Sequence, residues 1–92
     1  MWYVYILKCA DSTLYTGVNI DISRRVKRHN ARIGGTYTRT RVPVALAYSE
    51  ECPSYSAALK REAQIKRWTK KKKLALIAGD VSYLHELSKS CD

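Results

Sequence analysis

Glu62 lies in the run Ser56-Ala57-Ala58-Leu59-Lys60-Arg61-Glu62-Ala63-Gln64-Ile65-Lys66-Arg67-Trp68, whose residue types read as a helix. Ala58, Glu62, Ile65 and Thr69 fall in one narrow sector of that helix, with Leu59 and Lys66 at its edge. A carboxylate in an apolar stripe needs compensation, because an unpaired buried charge is costly or gives up its ionisation. Hydrolysis of a phosphodiester would use such a group. It needs a cation on the non-bridging oxygen, a positioned water, and a cationic side chain for charge on the phosphoryl group. Magnesium takes only one or two protein carboxylates, so Glu62 alone suffices as its protein ligand. Arg25 can grip the phosphate bidentately, and Tyr5, Tyr15 and His29 can orient or deprotonate the water. A phenol, with a pKa of about 10, needs nearby positive charge to act as a base. An Arg25–Glu62 ion pair is the competing account of the glutamate.

These groups come together only if the elements place them so. Tyr3 to Cys9 and Thr13 to Val18 are rich in β-type residues, and Ala10-Asp11-Ser12 between them makes a three-residue hairpin loop. That loop sets Cys9 against Thr13, Leu7 against Tyr15 and Tyr5 against Gly17, so Tyr5 and Tyr15 share a sheet face. Gly17 opposite Tyr5 leaves open space beside that hydroxyl for a backbone or ligand. Asn19 is the expected cap of a first helix with the apolar stripe Ile22, Val26, His29 and Ile33, stopped by Gly34-Gly35. Arg25 and His29, four residues apart, stand one above the other on it. Thr36 to Val42 reads as a loop and Val44 to Ser49 as a third strand. A third helix runs from Lys70 to Ala78 between a Thr69 cap and Gly79, and Val81 to Leu87 forms a short terminal helix. The order β-β-α-β-α-α implies an α/β protein of the α+β kind, a small antiparallel sheet with helices packed on it.

With 92 residues the chain makes one domain with a small core. Its net charge of +9 is clustered, with Arg24, Arg25, Lys27, Arg28 and Arg32 in one group, Arg39 and Arg41 in a second, and Lys60 to Lys73 in a third. Such a field suits a polyanion, and nucleic acid is the leading partner, with Arg24, Lys27, Arg28, Arg39, Arg41, Lys66 and Lys70 as its backbone contacts. A membrane partner is disfavoured because the basic helices lack a large apolar face, and the opening Met1-Trp2-Tyr3-Val4-Tyr5-Ile6-Leu7 is too short to span a bilayer. Cys9, Cys52 and Cys91 are odd in number and form no C-x-x-C pair, which argues against disulfides and zinc and fits a cytoplasmic location.

Tyr3-Val4-Tyr5, Tyr15-Thr16-Gly17, Arg25 with His29, and Glu62 together resemble the GIY-YIG nuclease family over roughly residues 2 to 75. The spacing is the specific part: ten residues between the paired tyrosines, eight from Gly17 to Arg25 and four on to His29. The compact form is similar to the family's small stand-alone bacterial proteins, and to the nuclease domain of the structure-selective endonuclease that resolves branched DNA. The resemblance implies a GIY-YIG-like three-stranded antiparallel sheet flanked by helices over 1–80, with 81–92 as a short helix or tail. It also implies an endonuclease for DNA, RNA not excluded, serving repair or recombination, with one Mg²⁺ or Mn²⁺ on Glu62. Tyr5 and Tyr15 then border the scissile phosphate, Arg25 stabilises it and His29 assists; which tyrosine is the base differs between members, and the room beside Gly17 slightly favours Tyr5. Tyr3 replaces the name-giving glycine, Thr16 replaces isoleucine, and no asparagine follows Glu62 where many members carry one. Lacking a separate DNA-binding domain, the chain is expected to have weak intrinsic activity or a targeting partner. A non-catalytic nucleic-acid-binding module is the alternative, and an adaptor for an acidic protein the third reading.

Overall fold

The Ala10-Asp11-Ser12 loop sets the register of the first hairpin, as expected. Ser12 takes the left-handed conformation at φ 70°, and Cys9 N donates to Thr13 O at 2.9 Å. Asp11 steadies the turn by accepting from the Thr13 hydroxyl at 2.6 Å and its backbone N–H at 3.1 Å, bonds that hold its carboxyl below the usual carboxylate range. The structure, a computed structural model, describes residues 1–32, 40–80 and 82. Among these, the elements are β1 (Trp2–Lys8), β2 (Leu14–Asn19), α1 (Ile22–Asn30), β3 (Ala45–Cys52), α2 (Tyr55–Lys66) and α3 (Lys70–Ala78). The sheet is antiparallel with β1 in the centre, order β2-β1-β3, so the expected β-β-α-β-α-α, α+β architecture stands.

The central strand divides the core. Val4 and Ile6 on one face pack with Cys52, Ala58 and Ile65, while Tyr5 and Leu7 on the other pack with Cys9, Val44 and, from α1, Ile22 and Val26. Helices thus cover both faces, and each fully buried aliphatic contributes about 1.5–3 kcal/mol relative to exposure. Trp68, at the corner between α2 and α3, packs on the first cluster with Lys72 and Arg61 over its ring at 4.4 and 5.2 Å.

Several boundaries differ from expectation. Asp21, not Asn19, caps α1, accepting from Arg24 N at 3.1 Å. Asn19 is still paired with Tyr3 in the sheet, and its side chain accepts from Asp21 N at 2.9 Å instead. The helix stops at Asn30, before the expected Gly34-Gly35 signal. Asn30 is held in a two-way amide bond with Val44, accepting from its N–H at 2.6 Å and donating to its carbonyl at 3.1 Å, and Arg32 turns the chain at φ 65°. Ile33, the Gly34-Gly35 pair, Arg39 and most of the expected loop lie outside the described residues, as does nearly all of the terminal helix placed at 81–87. The third strand continues through Glu50-Glu51 to Cys52 because Trp2 and Tyr3 of β1 still need partners there. Ser54 caps α2, while Thr69 and Gly79 bound α3 as the sequence indicates.

Candidate active site

The α1 face of the hairpin gathers four of the expected side chains. Tyr5 and Tyr15 lie with ring centroids 6.4 Å apart, and the Arg25 guanidinium donates to both hydroxyls. His29, fully buried, sets its ring edge-on to Tyr15 at 5.2 Å. Local sequence explains the convergence. The three-residue loop puts both tyrosines on one face, and the Asp21 cap starts α1 so that Arg25 and His29 lie on the side that packs there.

Gly17 does not leave a vacancy for a ligand, correcting the expectation from its small size. A Cβ there would lie 2.6 Å from the Tyr5 hydroxyl and 2.8 Å from its ring carbon, so Tyr5 itself fills the space above the glycine. Tyr5 is only 1% exposed, whereas Tyr15 is half-buried and reaches the surface. Burial pushes the Tyr5 phenol up; the bond from Arg25 pulls it down without overcoming burial, and the charge of Glu62 adds to the rise. Burial draws Arg25 down, but its bonds to the tyrosines prevail and hold the guanidinium charged. His29 is pushed down by burial and then by Arg25, so its ring is neutral at neutral pH.

Glu62 comes from α2, which packs on the opposite sheet face, and only its charge is felt at Tyr5. Its ion-pair partner is Lys66, one turn on, at 3.2 Å. The stripe of α2 is centred on Ala58 and Ile65, which are fully buried; Leu59 is 38% exposed and Thr69 belongs to the next cap. Glu62 therefore sits on the flank of the stripe, its side chain 18% exposed, rather than at its middle. Among the described residues no three His, Cys, Asp or Glu side chains gather into a metal cage. A single accessible carboxylate whose present neighbour is already a cation fits a hard ion that keeps water and phosphate oxygens as its other ligands.

The basic residues divide into two kinds. Arg24, Arg25 and Arg28 line a cleft of about 450 Å³ with Asn19, Ile20 and Asp21, and Lys27 is exposed nearby on α1. Arg41 instead ties the segment before β3 to the hairpin loop through Asp11 at 3.0 Å, and Lys70 donates to Ser12 O at 2.8 Å. Asn30 carries structural weight that the sequence alone does not reveal, holding Val44 by both its amide atoms. The only signal for Asn30 was an amide at a helix end, facing a loop that must be anchored. No described helix is long and apolar enough to cross a membrane.

Comparison with known proteins supplies the family. The GIY-YIG catalytic domain matches residues 1–75. A UPF0213 protein of Streptococcus sanguinis is 49% identical over 75 residues, covering 82% of this chain and 86% of that one. One from Staphylococcus aureus is 51% identical over 75 residues, covering 82% and 92%. The solution NMR structure of a UPF0213 protein from Bacillus halodurans is 39% identical, covers 85% of this chain and 84% of its own, and superimposes with a TM-score of 0.55. With its catalytic-domain match spanning most of the chain and relatives near half-identity, this protein belongs to the GIY-YIG nuclease family, among the UPF0213 proteins.

Proposed function

We propose that the protein is a metal-dependent endonuclease that hydrolyses phosphodiester bonds in DNA, selecting branched or flapped structures in repair or recombination. The observation that carries this reading is the Arg25 guanidinium held between the phenols of Tyr5 and Tyr15, with the charge of Glu62 felt at Tyr5. Arg25 binds the scissile phosphate and offsets its growing charge, and its charged state is secured by the phenol oxygens. Tyr5 is the positioning group, a neutral buried phenol that fixes the guanidinium. Tyr15, the more exposed phenol, orients the water, and His29 braces its ring. Glu62 would hold Mg²⁺ or Mn²⁺, which when bound would polarise the phosphate oxygen and make a bound water more acidic. Arg24, Lys27 and Arg28 take the flanking backbone.

Cleavage of flapped and branched DNA with magnesium tests this, comparing the intact protein with Glu62→Gln. The expected result is DNA binding by both and cutting only by the intact protein. Equal cutting by both removes the metal assignment. The Glu62–Lys66 ion pair is the one observation that favours a non-catalytic nucleic-acid-binding module, since it gives the carboxylate a purpose without metal. Tight binding with no cutting under Mg²⁺ or Mn²⁺ would select that reading.

A further inference from the structure

Beyond Tyr15, on the side away from the arginines, lies a second cationic cleft of about 330 Å³, lined by Leu14, Tyr15, Thr16, Lys66 and Lys73. Three features set it apart from an ordinary basic surface. First, Thr16 is 3% exposed and its hydroxyl has no hydrogen-bond partner, a state that native proteins avoid. Alternation along β2 turns Thr16 to the same face as Leu14, the face covered by α2 and α3, from which the two lysines come. Second, Lys73 is half-buried, and no carboxylate pairs with it among the described residues. Burial, and then the neighbouring Lys66, depress its ammonium, as expected of a cation without an anion beside it. Third, α3 begins with four lysines and has no acid in its first turn, against the preference of a helix start for negative charge. Lys70 is used in docking that helix to the hairpin loop; Lys73 is the member that lines the cleft.

We propose that Thr16, Lys66 and Lys73 form a second phosphate subsite, which takes a backbone phosphate of the same nucleic-acid strand whose scissile phosphate Arg25 holds. It rests on the nuclease reading for its ligand and extends it by giving the strand a path: from the arginine cleft, across Tyr15, into the lysine cleft. Tyr15 makes this path continuous, because it bonds to Arg25 on one side and walls the lysine cleft on the other. The two lysines have flexible stems, so they can open to let a phosphate oxygen accept from the Thr16 hydroxyl. Lys66 then serves two anions, the phosphate and the Glu62 carboxylate it already touches.

The test has two arms. In the first, inorganic phosphate is titrated into the ¹⁵N-labelled protein without metal or nucleic acid. The backbone resonances of Thr16 and Lys73 should shift and saturate, and Lys73→Gln should abolish the response while Lys73→Arg restores it. The dispersed spectrum reports that each variant is folded. In the second arm, binding of a labelled flap DNA is followed against salt in EDTA. Lys73→Gln should make the slope of log K against log salt shallower by about 0.7–0.9, the loss of one phosphate contact. Thr16→Val should weaken binding several-fold with the slope unchanged, and Lys8→Gln, at an exposed site outside both clefts, should alter neither. Saturating shifts in a protein that cuts no DNA would overturn the nuclease reading and leave the subsite in place. Cutting by an intact protein in which phosphate leaves Thr16 and Lys73 unmoved, or in which Lys73→Gln keeps the original slope, would overturn the subsite alone.

Discussion

The two edges of the sheet each carry a tyrosine beside a charged group, yet they are built for different ends. At the β3 edge, Tyr48 donates to Glu50 at 2.6 Å, Arg61 meets the same carboxylate at 2.9 Å and also donates to Gln64 at 2.8 Å. That network is closed, with acid, base and phenol satisfying one another. At the β2 edge, Arg25 is met by the phenols of Tyr5 and Tyr15, Thr16 is left with a buried hydroxyl, and Lys66 and Lys73 crowd one cleft. Consecutive residues of α2 serve the two sides. Arg61 and Glu62 flank the Ala58–Ile65 stripe, about 100° apart around the helix. A phenol against a carboxylate is locked in its protonated state; a phenol against a guanidinium can share a pocket with phosphate. The neighbours, more than the tyrosine, set the closed β3 edge apart from the β2 edge.

Arg25→Lys should disrupt the β2 edge most severely. A lysine keeps the charge but loses the planar fork that bonds both phenols and a phosphate at once. Cleavage of flap DNA should fall about 10²–10³-fold, the scale of losing one preorganised donor to an anion. Arg61→Lys at the other edge should leave the rate within a few-fold, and comparable losses at both edges would end the distinction. Gly17→Ala should act next, through Tyr5. Its new methyl would stand 2.6 Å from the Tyr5 hydroxyl, so the ring must move off Arg25. A cost of about 1–3 kcal/mol in urea unfolding is expected, together with lost cleavage. Unchanged unfolding would mean that Tyr5 has somewhere else to go.

Much of the β2 edge was legible because it depends on short-range rules. A three-residue loop dictates which β1 residue faces Tyr15 and Gly17, and a four-residue interval places Arg25 above His29. The caps Thr69 and Gly79 likewise follow from local chemistry. What failed to read through depended on tertiary contacts. Asn30 ends α1 early by bonding to Val44, fourteen residues away, and the use of Glu50 in a strand follows from pairing with Val4. Periodicity placed Glu62 mid-stripe because it counted Thr69 as helical, although that residue caps α3. Gly17 looked like space for a ligand because one sequence does not say which side chain occupies a gap. The Thr16–Lys73 juxtaposition joins β2 to α3, and no local pattern could have paired them.

Tyr48→Phe gives the smallest and most discriminating effect, since it touches only the closed edge. Burial, then the bond to Glu50, pushes the Tyr48 phenol up to about 12 from an ordinary 10.0. The folded state therefore holds this proton more tightly than the unfolded chain does. The stabilisation is fully present below pH 10 and is lost as pH rises from there toward about 12. Removing the hydroxyl should cost about 1 kcal/mol at pH 8, the net value of one hydrogen bond, and leave flap cleavage unchanged. Because phenylalanine cannot ionise, the stability gap between the original protein and the variant should narrow between pH 8 and pH 11. Urea midpoints at the two pH values read this directly, with the background loss from lysine deprotonation cancelling in the difference. A gap that stays constant would show that Tyr48 and Glu50 do not share the proton in solution, and a drop in cleavage would show that the β3 edge communicates with Arg25 after all.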